Sequence, residues 1–255
     1  MTGRVLLAAI LAGLAAGFAM GVIQHVRLTP LIIAAERFEV ASATAHSHAD
    51  SSASEPAPLE PETAPQGHTH APEAPAAGGH EHPADAWAPG DGWERTAYTT
   101  LTAMLTAAGF ALILTGLSYL TGLPITRNNG LVWGVCGFIA VSLAPAAGLP
   151  PELPGTEAAR LFVRQAWWLG TIICTSLAIW LAVTARRWWW FPAAAVIAAF
   201  PHVVGAPRIP PEDTPLPASL AAEFVSSSLA SNLVMWLLIG FFLAILLNPA
   251  QEQKT

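Results

Sequence analysis

Six of the eight histidines in this 255-residue chain stand in three H-x-H pairs: His46 and His48, His68 and His70, His80 and His82. In an extended chain residues i and i+2 point the same way, so each pair presents two imidazoles on one side, about 7 Å apart along the backbone. Acids stand beside them, with Asp50 near the first pair, Glu73 near the second and Glu81 inside the third. Neutral imidazole with carboxylate suits divalent first-row metals, and affinity alone favours copper over nickel or cobalt, so such a tract collects metal without choosing it. The competing reading is a solvated linker whose histidines bind nothing. The two remaining histidines fall elsewhere, His25 after the first apolar run and His202 within a late one, and Glu36 and Glu39 follow His25 at a spacing that shares a helix face. An ionisable group such as His202 inside an apolar run is a candidate for ion or proton passage, or else a histidine bonded to a freed carbonyl.

These groups must be positioned by an unusual scaffold. Hydrophobic residues make up 53% of the chain and charged ones only 11%, less than half the roughly 25% of a soluble domain. The charges leave six long uncharged intervals: Val5 to Val26, Thr96 to Thr126, Asn128 to Pro151, Gln165 to Ala185, Trp188 to Pro207 and Phe224 to Gln251. A bilayer core of about 30 Å takes roughly 20 helical residues. Each interval is long enough, and an apolar segment in lipid must bond its own backbone, so the intervals are expected to be helices. The fold class is therefore all-α, a polytopic membrane protein of about six transmembrane helices. Five are possible, because only Arg186 and Arg187 separate the fourth and fifth runs. The first run could be a secretory leader, but it is too long for one. Its Gly13, Gly17 and Gly21 form a small-xxx-small stripe suited to close helix packing. Pro30 is expected to bend the chain after this run, and Pro201 with Gly205 to break the fifth helix. Asn232 is expected to donate a hydrogen bond to a neighbouring helix. Cys136 and Cys174 read as packing residues inside spans.

Between the first two spans, His46 to Glu94 holds nine acids, eight prolines and no Lys or Arg. Such a segment is expected to be disordered. The chain thus divides into a first helix with an interfacial segment (1–40), a disordered acidic His-rich loop (41–94) and a helical bundle (95–255). The chain's net charge of −6 arises in that loop, and the remainder has eight acids against eleven bases; a strongly basic nucleic-acid-binding domain is excluded. With the amino terminus inside, Arg4, Arg127, Arg186, Arg187 and Lys254 lie on the cytoplasmic side. The opposite side carries six arginines, so the short Arg186–Arg187 turn is given most weight. This orientation puts the His-rich loop, His25, Glu36, Glu39, His202 and Glu223 on the outer side.

The segments Thr29 to Ile32, Ala35 to Glu39, Ser142 to Pro154 (SLAPAAGLPPELP), Gln165 to Trp168 (QAWW) and Pro201 to Pro207 (PHVVGAP), with the histidine-bearing loop, resemble the CbtA-type cobalt transporter subunits. The likeness covers most of the chain outside the loop. It implies cobalamin-linked cobalt uptake and a small single-span, His-rich CbtB-type companion. Family members are described with five spans, and the difference from six falls at the Arg186 turn. The leading expectation is uptake of Co2+, or another divalent transition metal, across the cytoplasmic (inner) membrane, with His46, His48, His68, His70, His80 and His82 capturing the ion and His25, Glu36, Glu39 and His202 near its path. The alternative is a non-transporting scaffold that hands metal to a partner. No tightly bound cofactor is expected. The chain has no G-x-x-x-x-G-K-[ST], H-E-x-x-H or G-x-S-x-G motif, which argues against an enzyme.

Overall fold

The computed structural model describes residues 2–38, 90, 92–153, 156, 159–207 and 216–248, and their regular structure is entirely helical. Helix α1 (Thr2–Ile23) passes through a π turn (Gln24–Leu28) and continues as helix over 29–38. Helix α2 is Trp93–Thr121. Helix α3 (Gly130–Phe138) passes through a second π turn (Ile139–Leu143) into Ala144–Ala146. Helices α4 (Leu161–Thr184), α5 (Trp190–Val204) and α6 (Ala218–Leu246) complete the bundle.

The expected bend at Pro30 is replaced by a continuous helix, for a local reason. Proline lacks an N–H and its ring crowds the carbonyl four residues back. Both π turns end two residues before a proline, Pro30 and Pro145. In both, the residue just before the proline donates five residues back, Thr29 N–H to Gln24 O and Ala144 N–H to Ile139 O. The widened turn accommodates the ring without ending the helix. Helix α5 also contains its proline, Pro201, and stops at Gly205, whose φ of 90° suits glycine.

Lipid tails are as apolar as leucine, so close backbone contact rather than hydrophobicity must hold such helices together. Gly13, Gly17 and Gly21 of α1 lie against Ala108, Met104 and Thr100 of α2, an antiparallel register in which a side chain at Gly13 or Gly17 would meet backbone. A second seam joins α3 to α6, with Gly130 against Gly240 and Gly134 against Trp236. The core runs between the seams: Ala12, Ala16 and Met20 of α1, Ala107 and Leu114 of α2, Phe138 of α3, and Met235, Trp236 and Ile239 of α6. Helices α4 and α5 pack on each other and join the rest through the second π turn. Gly148, just past α3, receives Trp167 of α4.

Four helices are long and apolar enough to cross a membrane: Gly3–Phe38, Trp93–Thr121, Leu161–Thr184 and Ala218–Leu246. Gly130–Ala146 and Trp190–Val204 are shorter than their uncharged intervals. At about 1.5 Å per residue they reach about 25 and 22 Å. Asn129 shortens the first by capping the preceding turn, accepting from Thr126 N–H at 2.7 Å and donating to Pro124 O at 3.0 Å. Helix α4 begins four residues before its uncharged interval, because Arg164 pairs with Glu152 at 2.7 Å. Asn232 corrects another expectation: its Nδ2 donates to Ser228 O of its own helix at 2.9 Å. Cys136 and Cys174 are half-buried free thiols.

Candidate functional site

The antiparallel order sorts the polar groups into two ends. Arg4, Arg127, Arg186 and Arg187 lie at one, where Arg127 Nε donates to Asn248 O at 2.9 Å and the Arg187 guanidinium lies 4.7 Å over the Trp189 ring. The other, the loop end, carries residue 38, the start of α2, the end of α3 and the start of α6. His25, Glu36, His202 and Glu223 all stand toward this end.

A cleft of about 350 Å³ opens there between α1 and α2, lined by His25, Thr29 and Glu36 from one helix and Arg95, Thr96 and Thr99 from the other. The Gly21–Thr100 contact sets this register, since one turn further along each helix His25 meets Thr96. His25 Nδ1 is 3.2 Å from Thr96 Oγ1, which also donates to Gly92 O at 3.0 Å. A hydroxyl has one proton. When it goes to Gly92 O, His25 donates through Nδ1–H, and Nε2 keeps the lone pair a metal would use. Glu36 Oε1 accepts from Arg95 Nη2 at 2.7 Å, which neutralises the carboxylate and ties the continuation of α1 to α2. Eleven residues of helix separate His25 from Glu36, about 16 Å, so the two line one cleft without sharing one ion.

His202 is exposed in the last turn of α5. Its ring meets Trp167 edge-on, with centroids 5.8 Å apart, and Trp167 Nε1 donates to Pro201 O at 3.0 Å. Helix α5 packs mainly on α4, so His202 shares the loop end with His25 and Glu36 without joining their cleft. Among the described residues no three His, Cys, Asp or Glu side chains are grouped to hold a metal ion. Glu39, His46, His48, His68, His70, His80 and His82 lie outside the described residues. The sequence reading missed Arg95 and Thr96, and the glycine stripe was the signal that could have found them once its partner helix was known.

Residues 2–248 match the family described as Probable cobalt transporter subunit (CbtA). The chain belongs to the CbtA family. No curated protein and no solved structure matches it. CbtA proteins are transporter subunits rather than enzymes, which fits a chain whose polar groups line a cleft in an apolar helical bundle. As a subunit, a CbtA protein works with a partner in the membrane.

Proposed function

We propose that this CbtA protein carries cobalt, as Co2+, inward across the cytoplasmic membrane, with the histidine pairs of residues 46–82 capturing the ion outside. The observation that carries this reading is positional. Residue 38, the last described before the histidine pairs, and residues 90 and 92, the first described after them, stand at the end that holds the His25–Glu36 cleft and His202. Captured metal is thereby held beside the only ionisable histidines of the bundle. All six helices span in this reading, the two short ones flanked by polar turns, and the loop end faces outward. A membrane potential contributes about 2.3 kcal/mol per charge per 100 mV, so a divalent cation gains about 4.6 kcal/mol inward. A single-span His-rich CbtB-type protein is the proposed companion.

The test is radioactive cobalt uptake into right-side-out membrane vesicles carrying the full chain, the chain without residues 46–82, and His202→Ala. Deleting the loop should raise the cobalt concentration needed for half-maximal uptake while flux at high cobalt persists. The histidine change should lower uptake. A chain that binds cobalt and moves none at any concentration is a metal-delivering scaffold, and the transport reading then fails.

A further inference from the structure

We propose that Gln24 and Ser228 form a transit site of neutral oxygens for a partly dehydrated divalent cation, on the seam between α1 and α6. The proposal rests on the transport reading and names the place inside the bundle where the ion is held. Leu28 of α1 and Phe224 of α6 are buried in one cluster with Ala35 and Leu153. The two helices run antiparallel, so one turn further into the bundle Gln24 and Ser228 reach the same level. Gln24 Oε1 and Ser228 Oγ are both buried with no hydrogen-bond partner, and Ser228 is only 4% exposed. A buried oxygen left this way costs about 1–3 kcal/mol.

Polar groups within a turn of these oxygens bond to backbone carbonyls instead. Asn232 Nδ2 donates to the Ser228 carbonyl at 2.9 Å, and Ser231 Oγ donates to Ser227 O at 2.7 Å. Thr29 directs both its N–H and its hydroxyl, the latter at 3.1 Å, to the Gln24 carbonyl. Gln24 also opens the first π turn, the kind of helix irregularity that recurs at functional sites. Ser228 lies about 15 Å in from the loop end of α6 by helical rise, well inside an apolar layer.

Two uncharged oxygens replace part of the hydration shell of a cation without adding the fixed charge that would hold it. Conduction needs binding strong enough to admit the ion and weak enough to release it. Oxygen donors accept divalent first-row ions without ranking them steeply, so this site passes the ion without selecting it.

The test uses the full chain in right-side-out vesicles, with cobalt alone as the probe. Gln24→Leu and Ser228→Ala should each lower maximal cobalt uptake about tenfold, which is about 1.4 kcal/mol. Thermal unfolding in detergent should stay unchanged or rise for Ser228→Ala, because an unpartnered hydroxyl holds nothing together. Ser228→Cys offers sulfur in place of oxygen, and cadmium should then block cobalt uptake at about tenfold lower concentration than in the unaltered chain. Thr175 Oγ1, a third buried oxygen without a partner, lies on α4 away from this seam. Its change to Val should leave uptake as it was. Full uptake in the Gln24 and Ser228 variants, or loss of uptake only in step with loss of the fold, would overturn the transit site while leaving the transport reading intact. Absence of uptake by the unaltered chain would remove the transport reading itself.

Discussion

At the scale of single residues, the decisive contact is Glu36 with Arg95. A carboxylate near a membrane surface attracts cations, but this one already has a guanidinium at 2.7 Å. Both side chains are about a third exposed, so water screens the pair and its worth is that of a surface bridge. We expect a double-mutant cycle with Glu36→Gln and Arg95→Gln, read by thermal unfolding in detergent, to give a coupling of about 0.2–1 kcal/mol. A coupling of zero would mean that the pair does not tie the two helices. His25 differs, because its Nδ1 partner is the Thr96 hydroxyl rather than an opposite charge. We expect His25→Ala to raise the cobalt concentration for half-maximal uptake about threefold, about 0.7 kcal/mol, with maximal uptake preserved. An unchanged concentration dependence would take His25 out of the ion's route. The sequence marked these residues as candidates by their types and spacing. It could not show that Glu36 is neutralised, because its partner lies 59 positions away.

At the scale of elements, glycine has opposite meanings on opposite faces of a helix. Gly17 of α1 meets the backbone of α2 at Met104, whereas a methyl group at Gly116 of α2 would meet nothing within 4 Å. Gly17→Ala should therefore cost about 1–3 kcal/mol by overpacking. Gly116→Ala should be neutral or stabilising by up to about 1 kcal/mol, from helix propensity alone. Denaturation of the two variants in one detergent checks the contrast, and equal effects would remove the seam as the reason for the α1 stripe. The same seam logic applies to Gly134 and Gly240, yet those residues stood out less in the sequence because Gly130, Gly134 and Gly137 follow no simple four-residue repeat.

For the whole molecule, the consequence is a topology in which residue 90 and Arg187 lie at opposite ends. With Cys136 and Cys174 replaced by Ser, a membrane-impermeant maleimide added to intact cells should label Gly90→Cys and leave Arg187→Cys untouched until the membrane is permeabilised. Labelling of both from outside would defeat the six-span arrangement. Reversed accessibility would keep six spans and invert the direction of transport proposed above.

Sequence alone determined the solvent and the kind of element. A chain with 11% charged residues gathered between long apolar runs must bury its backbone bonds within helices, and that requirement is local. The histidine pairs, the glycine stripe and the break at Gly205 were legible for the same reason, since each is a property of adjacent or regularly spaced residues. Only the tertiary structure decided which helices pair and in what register. That register set Arg95 on Glu36 and gathered Leu28 of α1 into one cluster with Phe224 of α6, some two hundred positions away. Such matches depend on where one backbone can approach another, and no single helix contains that information.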